Sequence, residues 1–243
     1  MRVIRGRGPT LDADRAATTS MLATAAETGV PAVRVWQPPK QVAFGRRDTN
    51  AADYEGATRA AHERGFPPVE RSVGGRAVAY TGRTLAFAVA ITTDDCRSGI
   101  EDRYRTATAT VLDALRDLGA DVEPGEPPAS YCPGSHSIRV ADGGKVAGLA
   151  QRVRTDVVLV SGCLVVAADD EPEIGDVLDP VYDALDVDFD PASVGSVAGA
   201  GGSATPSDVA RTLETVFVDG EWGDGTRTVV SVDERDAPAV AED

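Results

Sequence analysis

The chain has 243 residues, of which 42% are hydrophobic, so it is long and apolar enough for one large α/β domain with a packed core. Its formal net charge of −15 argues against nucleic acids and anionic membranes as partners. It has an odd number of cysteines, three, and neither a membrane-length apolar run nor a signal-peptide core, which predicts a cytoplasmic protein without a disulfide framework.

The basic residues are unusual in kind, because only Lys40 and Lys145 of the 24 are lysines. High acidity, arginine in place of lysine and abundant alanine, glycine and valine resemble proteins of a high-salt cytoplasm. A halophilic protein is therefore expected. The alternative is an ordinary acidic protein from a GC-rich genome.

The first half of the chain alternates helical and strand patterns. Large apolar residues alternate with alanines over 84–91, which predicts a strand buried on both faces, with the alanine face against a bulky group or a bound chain. The best helical periodicity runs over 98–118 and places Ile100 on the apolar face. The other predicted elements are a helix over 12–28, a strand over 33–36 that resumes over 41–45 after two prolines, a helix over 51–64, a short strand over 69–71 and a run from Ala77.

Paired glycines, Gly74 and Gly75, lie between Arg71 and the run from Ala77. Glycines of this kind let the main chain pass close to a ligand and leave amides free to donate, as in an acyl- or nucleotide-binding loop. The same pair also fits a simple glycine hairpin turn. From the pair alone, the turn is the favoured interpretation.

The second half centres on a predicted hairpin. A strand pattern over 137–140 and a polar turn over 141–144 lead into a second strand that begins at Lys145 and carries Gly148. The other predicted elements are a Pro- and Glu-rich connector over 123–129, a strand over 156–168, a helix over 173–185, a loop over 188–204, a helix over 207–218, a strand over 228–232 and a disordered acidic tail over 233–243. Residues 1–232 are expected to form one domain.

Cys132 and Lys145 are the strongest pair of candidate catalytic residues. Cys132 is followed by Pro133 and Gly134 in a loop where a thiol can be exposed, and the hairpin brings Lys145 toward it. A cation near a cysteine raises the thiolate fraction, and the thiolate is the nucleophile. A compact ammonium can also contact an acyl oxygen as a point donor, which the broader guanidinium does less well.

The sequence around this pair resembles the biotin/lipoate protein ligase superfamily. The similarity lies in Cys-Pro-Gly-Ser at 132–135, in Gly-Lys-Val-Ala-Gly-Leu-Ala-Gln-Arg at 144–152 and in the Arg-x-x-Gly-Gly loop at 71–75. The resemblance implies an α/β (α+β) fold of the class II synthetase type, with a mixed, largely antiparallel sheet flanked by helices. It favours an acyl-pocket role for the glycine loop. The residues that it assigns to substrate binding are Arg71, Gly74, Gly75, Arg76, Ala77, Ser135 and Gly148.

The closest branch is that of the cysteine-dependent octanoyl or lipoyl amidotransferases, in which the cysteine carries the acyl thioester and the lysine activates it. The resemblance therefore implies Cys132 and Lys145 as catalytic residues, no cofactor, a glycine cleavage H protein-like donor and a 2-oxoacid dehydrogenase E2 acceptor. Val73 departs from the small polar residue usual there. Tyr80-Thr81 replaces the His-Asp of ATP-dependent ligases, which weakens that alternative.

Two other functions are open. An ATP-dependent lipoate–protein ligase would use Lys145 on the acyl-adenylate phosphate and need Mg²⁺, and Cys132 would be dispensable. A non-catalytic binder of lipoylated carriers would need neither residue.

Other chemically capable residues are weaker candidates. Cys163 lies in an apolar strand and is expected to be structural, and acidic neighbours disfavour a thiolate at Cys96. His136 is a minor candidate for a base because no orienting Asp or Asn is evident, and His62 is expected to be a solvated helix residue. No His, Cys and Asp spacing indicates a metal site.

Overall fold

The protein is described here by a computed structural model over residues 1–71, 74–93, 98–154, 156–203 and 205–232. This part of the chain forms two sheets and five α-helices, with a short 3-10 helix at Pro191–Ser193. In chain order the elements are β1 (Arg2–Arg5), α1 (Leu11–Thr28), β2 (Ala32–Trp36), β3 (Gln41–Phe44), α2 (Tyr54–Glu63), β4 (Pro68–Glu70), β5 (Val78–Tyr80), β6 (Leu85–Thr92), α3 (Ile100–Asp117), β7 (Val122–Pro124), β8 (Ser137–Val140), β9 (Lys145–Val153), β10 (Val157–Leu164), α4 (Asp170–Ala184), α5 (Pro206–Asp219) and β11 (Thr228–Ser231).

The larger sheet has eight strands in the order β11-β1-β2-β6-β10-β9-β8-β7. β1 pairs in parallel with both β11 and β2, and the remaining neighbours are antiparallel. Residues of α3 and α5 pack on one face and residues of α1 on the other. The predicted mixed, largely antiparallel sheet flanked by helices is therefore confirmed.

The central strand β6 is buried on both faces, as its sequence pattern predicts. Phe87 and Val89 pack into the cluster with α3 and α5, whereas Ala88 and Ala90 pack in the cluster with α1. Full burial of a large apolar side chain contributes roughly 1.5–3 kcal/mol. The alanines let α1 approach closely, and Ala86 and Ala88 also line a groove.

The inward placement of Ile100 is wrong, because this side chain is 44% exposed. Gly99, in the left-handed conformation with φ of 67°, precedes α3, so Ile100 is the first helical residue. The buried residues of the helix begin only at Arg103 and continue through Val111 and Leu115. The amphipathic pattern was correct, but its first member lies in the terminal turn.

β3 does not continue β2, as the sequence suggested, but belongs to a second sheet of order β4-β3-β5. The prolines at 38 and 39 end one sheet strand, and the chain then enters the other sheet. β4 is parallel to β3 on one edge, and β5 is antiparallel on the other edge. The strands around the glycine pair are therefore not partners of each other, and the hairpin-turn interpretation of 74–75 is wrong.

Two short strands of the large sheet, β1 and β7, are not predicted by the sequence pattern. β1 pairs with β11 and β2, and β7 takes the first residues of the predicted connector to the edge of the sheet against β8. The acidic tail predicted over 233–243 and Cys96 lie outside the described residues. Within the described ranges, no helix combines the length and the apolar character needed to cross a membrane.

The acidic composition predicts salt-dependent stability. Raising KCl from low to multimolar concentration is expected to raise the melting temperature, because salt screens the self-repulsion of a chain with net charge −15. Each kcal/mol of relieved repulsion corresponds to roughly 2–4 °C for a chain of this size. Thermal unfolding followed by circular dichroism measures the shift, and a flat response would contradict the halophilic interpretation.

Candidate active site

A groove of about 520 Å³ runs between the glycine loop and the β8–β9 hairpin. Its walls come from both sheets and from α1. Seven of the residues singled out from the sequence line it, namely Arg71, Gly74, Gly75, Cys132, Ser135, Lys145 and Gly148. The structure thus brings both candidate catalytic residues and most of the candidate binding residues to one cavity.

Arg76 and Ala77 lie behind this lining and support the loop. The Arg76 guanidinium is 3.3 Å from the carboxylate of Asp48, which also accepts the Gly45 N–H at 2.8 Å. Burial raises the pKa of Asp48, and the Gly45 and Arg76 contacts only partly offset that effect. Ala77 is fully buried, and its carbonyl accepts a hydrogen bond from Tyr182.

Cys132 is held in an uncommon backbone conformation, with φ of +43°. Its N–H donates to the hydroxyl oxygen of Tyr182 at 2.6 Å, and the Tyr182 hydroxyl donates to the Ala77 carbonyl at 2.9 Å. Left-handed backbone at a non-glycine residue persists only where the surroundings hold it, and such strain is concentrated at functional sites. Because the Cys132 N–H is already bonded, a tetrahedral oxyanion at the sulfur must be stabilised by other donors.

Lys145 is 1% exposed, and its ammonium contacts acceptors on all sides. It lies 2.9 Å from the Cys132 carbonyl, 3.0 Å from the Tyr131 carbonyl and 3.1 Å from the nearer carboxylate oxygen of Glu126. Three N–H groups are therefore shared among a carboxylate and two carbonyls. The lysine fixes the backbone of the Cys132 loop, as well as lying beside the groove.

The cation that contacts the sulfur is on Arg71. Its Nη2 lies 3.4 Å from Cys132 Sγ and also donates to the Arg76 carbonyl, while its backbone N–H donates to the Phe44 carbonyl. Burial opposes the positive charge, but the facing Cys132 and Tyr80 more than compensate, so the pKa of Arg71 lies above its ordinary value. The loop that carries Arg71 thus places a guanidinium directly at the candidate nucleophile.

The second thiol of the groove is that of Cys163, on β10. The structure places it half-buried in the groove wall instead of deep in the core. Desolvation and the neighbouring Cys132 raise the pKa of Cys163, and the opposing effects of Lys145 and Arg71 are smaller. Cys163 is therefore expected to remain a neutral thiol at neutral pH.

His136 stacks on Tyr104, with ring centroids 3.6 Å apart and planes 7° from parallel. Its Nε2 is 3.9 Å from the Glu101 carboxylate. The described contacts thus give His136 partners on α3 and none at Cys132, which leaves the histidine-base interpretation without geometric support. His62 is exposed near the end of α2, as expected. Among the described residues, no group of three or more His, Cys, Asp or Glu side chains is arranged to hold a metal ion.

Glu126 and Tyr182 were missed as site residues. Glu126 follows β7 in the predicted connector, where nothing in the local pattern distinguishes it from its acidic neighbours. Besides contacting Lys145, it accepts hydrogen bonds from Ser130 and Ser137. Tyr182 was recognised only as an inward residue of a helix.

Gly75 packs directly against the reacting groups, which gives a matched pair of tests. An alanine Cβ at this position would lie 2.8 Å from Cys132 Sγ and 3.0 Å from Arg71 Nη2, and φ there is +93°. Gly74, the preceding residue, has nothing within 4 Å of an added Cβ. Gly75→Ala is expected to displace the sulfur and reduce its alkylation rate about tenfold or more, while Gly74→Ala keeps the wild-type rate. Equal rates would show that the loop does not constrain the thiol.

The sequence that forms this site matches a known protein family. Residues 12–215 match the family model described as lipoyl protein ligase A/B catalytic domain. An octanoyl-GcvH:protein N-octanoyltransferase of an Exiguobacterium species is 31% identical over 56% of this chain and 48% of that protein. A lipoyl-GcvH:protein N-lipoyltransferase of Listeria monocytogenes is 30% identical over 49% of this chain and 43% of that protein. The chain thus spans about half the length of these relatives.

The fold has a solved counterpart in a lipoate-protein ligase A bound with ATP, with a TM-score of 0.75 and 21% identity over 97% of this chain and 90% of that chain. At this identity the likeness shows the fold alone. Because the family model spans most of the sequence, from α1 into α5, the chain belongs to the lipoyl protein ligase A/B catalytic domain family.

Proposed function

We propose that this protein transfers an octanoyl or lipoyl group from a carrier protein to the lysine of a lipoyl domain, through a thioester on Cys132. The observation that carries the proposal is the Cys132 thiol itself, held in left-handed backbone at a groove and facing a guanidinium at 3.4 Å. A reactive cysteine requires such an electropositive, partly exposed setting. The names of the relatives, octanoyl and lipoyl transferases, support the same acyl groups.

The groove suits an aliphatic chain. Its volume of about 520 Å³ lies within the roughly 300–1,000 Å³ typical of ligand pockets. Three adjacent strands of the large sheet contribute small side chains to its wall, which leaves a slot along the sheet surface. These residues are Ala86 and Ala88 of β6, Gly148 and Ala150 of β9, and Ser161 and Gly162 of β10.

Transfer takes place in two balanced steps. The Cys132 thiolate attacks the acyl carbonyl on the donor lysine, the C–S bond forms, the C–N bond breaks, and the donor nitrogen leaves as an amine after taking up a proton. The neutral amine of the acceptor lysine then attacks the thioester, the new C–N bond forms, the thiolate leaves, and the acceptor nitrogen loses a proton. Neither step requires a nucleotide, so the proposal includes no cofactor.

Lys145 positions both the Cys132 loop and the acyl oxygen in this scheme. The ammonium holds the carbonyls of Tyr131 and Cys132, and it is the nearest compact donor from which the acyl oxygen can be oriented. Gly148 lets it reach that place, because a Cβ there would lie 3.1 Å from Lys145 Cε. We assign the proposed acyl-binding role to Arg71, Gly74, Gly75, Ser135 and Gly148, which line the groove.

The partners in this proposal are two lipoyl-type carrier domains, a glycine cleavage H protein-like donor and a 2-oxoacid dehydrogenase E2 acceptor. The relatives' names specify GcvH as the octanoyl or lipoyl source for those proteins. A lysine side chain is long and flexible, so its acylated or free end can enter the open groove while the folded carrier domain stays outside.

A transfer assay without ATP tests the function. The purified chain is incubated with octanoyl- or lipoyl-carrier donor and an acceptor lipoyl domain, and acylated acceptor and acyl-enzyme are detected by intact mass. Acceptor acylation together with a mass adduct on Cys132 supports the proposal. Acylation of a lipoyl domain from free lipoate, only with ATP and Mg²⁺ and also by Cys132→Ala, would establish the ligase alternative. Carrier binding without acylation under either condition would identify a binding protein.

A further inference from the structure

The two cations near Cys132 have different surroundings. The Lys145 ammonium makes its close contacts with Glu126 and with the Tyr131 and Cys132 carbonyls, rather than with the sulfur. Arg71 Nη2 instead points at Cys132 Sγ. The cysteine backbone is thus held by one cation, while its sulfur faces another.

Arg71 also retains unused hydrogen-bonding capacity beside the sulfur. Its Nε is buried without a hydrogen-bond partner among the described residues. The Nε groups of Arg34 and Arg139 are buried without a partner in the same way, so the unused donor of Arg71 is available to an acceptor but does not by itself indicate one. An anionic sulfur, or the acyl oxygen that follows it, supplies such an acceptor.

The other titratable groups around Cys132 are either neutral at neutral pH or in contact with another cation. Desolvation raises the pKa of Tyr80 and of Cys163, and that of Tyr182 lies well above its usual range, so all three are neutral at neutral pH. Of the nearby carboxylates, Asp48 pairs with Arg76, and Glu126 pairs with Lys145. Tyr131 is buried, which also keeps it neutral.

We propose that Arg71, and not Lys145, is the cation that stabilises the Cys132 thiolate, while Lys145 fixes the loop backbone and the acyl oxygen. The inference deepens the proposed function, since it takes Cys132 as the nucleophile. A guanidinium at hydrogen-bond distance from a thiolate makes a charge-assisted contact. Arg71 is therefore a catalytic residue in its own right, which touches the reacting sulfur before the acyl group arrives.

The test is the pH dependence of Cys132 alkylation in the full chain. Iodoacetamide labelling is measured between about pH 5 and 10, with Cys132 resolved from the other cysteines by peptide mass. Arg71→Met is expected to move the labelling midpoint up by about one pH unit, which lowers the rate about tenfold below the midpoint. Arg71→Lys keeps the charge, so its labelling midpoint should lie between those of Arg71→Met and the wild type. Lys145→Met, with Glu126→Gln to remove the partner charge, should leave the midpoint within about 0.3 pH unit.

The reverse pattern, a shift in the Lys145 variant and none in the Arg71 variants, would overturn the inference. Native-state circular dichroism and thermal unfolding identify variants that do not fold. If Arg71→Met does not fold, the labelling midpoints of Arg71→Lys and of the Lys145/Glu126 variant still test the proposal. A raised midpoint in the Lys145/Glu126 variant, with none in Arg71→Lys, contradicts it. Labelling does not depend on acyl transfer. A wild-type chain that fails to transfer but shows the Arg71 effect would refute the proposed function and leave this inference intact.

Discussion

Cys132→Ser is expected to abolish ATP-independent acyl transfer, with a loss of at least about 10³-fold in kcat/KM. The serine hydroxyl is not ionised at neutral pH, and among the described residues no dedicated base contacts this side chain, so the alcohol is a far weaker nucleophile than a thiolate. The replaced atom is half-exposed and contributes little packing. The free energy of unfolding should therefore change by less than about 1 kcal/mol. Intact-mass detection of acylated acceptor and a urea unfolding curve measure the two effects.

Cys163→Ser is the matched control, because this thiol lies in the wall of the same groove but is held neutral by its surroundings. It should retain acyl transfer within a few-fold of wild type and retain the mass adduct on Cys132. If Cys163→Ser lost the acyl adduct although its Cys132 still reacted with iodoacetamide, Cys163 would be the nucleophile and Cys132 would not.

The convergence of Cys132 and Lys145 could be predicted because it depends on local pattern. Alternating residues on either side of a polar turn specify β8 and β9, and their register pairs Lys145 with Arg139 and Gly148 with Ser137, next to the Cys132 loop. The Lys145 side chain runs back past Gly148 and so reaches that loop. The two-sided burial of β6 was predictable for the same reason, since a period of two with large residues on one side and alanines on the other fixes both faces. The family motifs then supplied the binding residues that these patterns could not.

Contacts between distant segments account for what was missed. Glu126 contacts Lys145, 19 residues away in sequence, and Tyr182 contacts Cys132, 50 residues away. Nothing in the sequence next to Glu126 or Tyr182 indicates these distant partners. β1 is four residues long and gains its partners from β2 and from β11 at the far end of the chain. The placement of β3 in a second sheet likewise depends on β4 and β5. Spacing alone suggested Lys145 as the thiolate's cation, whereas only the fold shows Arg71 at the sulfur.

Lys145→Arg should lower kcat/KM for acyl transfer by about 100-fold, although it preserves the charge. The ammonium occupies a closed site bounded by Glu126, by the carbonyls of Tyr131 and Cys132, and by the bare backbone of Gly148. A guanidinium is planar and wider than an ammonium, so it cannot keep all of these contacts and also present a compact donor to the acyl carbonyl. Overpacking of this kind typically costs about 1–3 kcal/mol of stability as well. Transfer kinetics and thermal unfolding of the same preparation measure both losses.

Lys40→Arg provides the comparison, as the same substitution at the only other lysine of the chain. Lys40 is 40% exposed and pairs with Glu173 at 2.8 Å, a surface contact that arginine can also make, so activity and stability should stay at wild-type values. If Arg71 stabilises the thiolate, Lys145→Arg should still be alkylated at Cys132 with the wild-type pH midpoint while transfer fails. Such a separation would locate the defect in the placement of the acyl carbonyl. Wild-type transfer by Lys145→Arg would instead show that the compact ammonium is not required, and that Lys145 contributes only its charge.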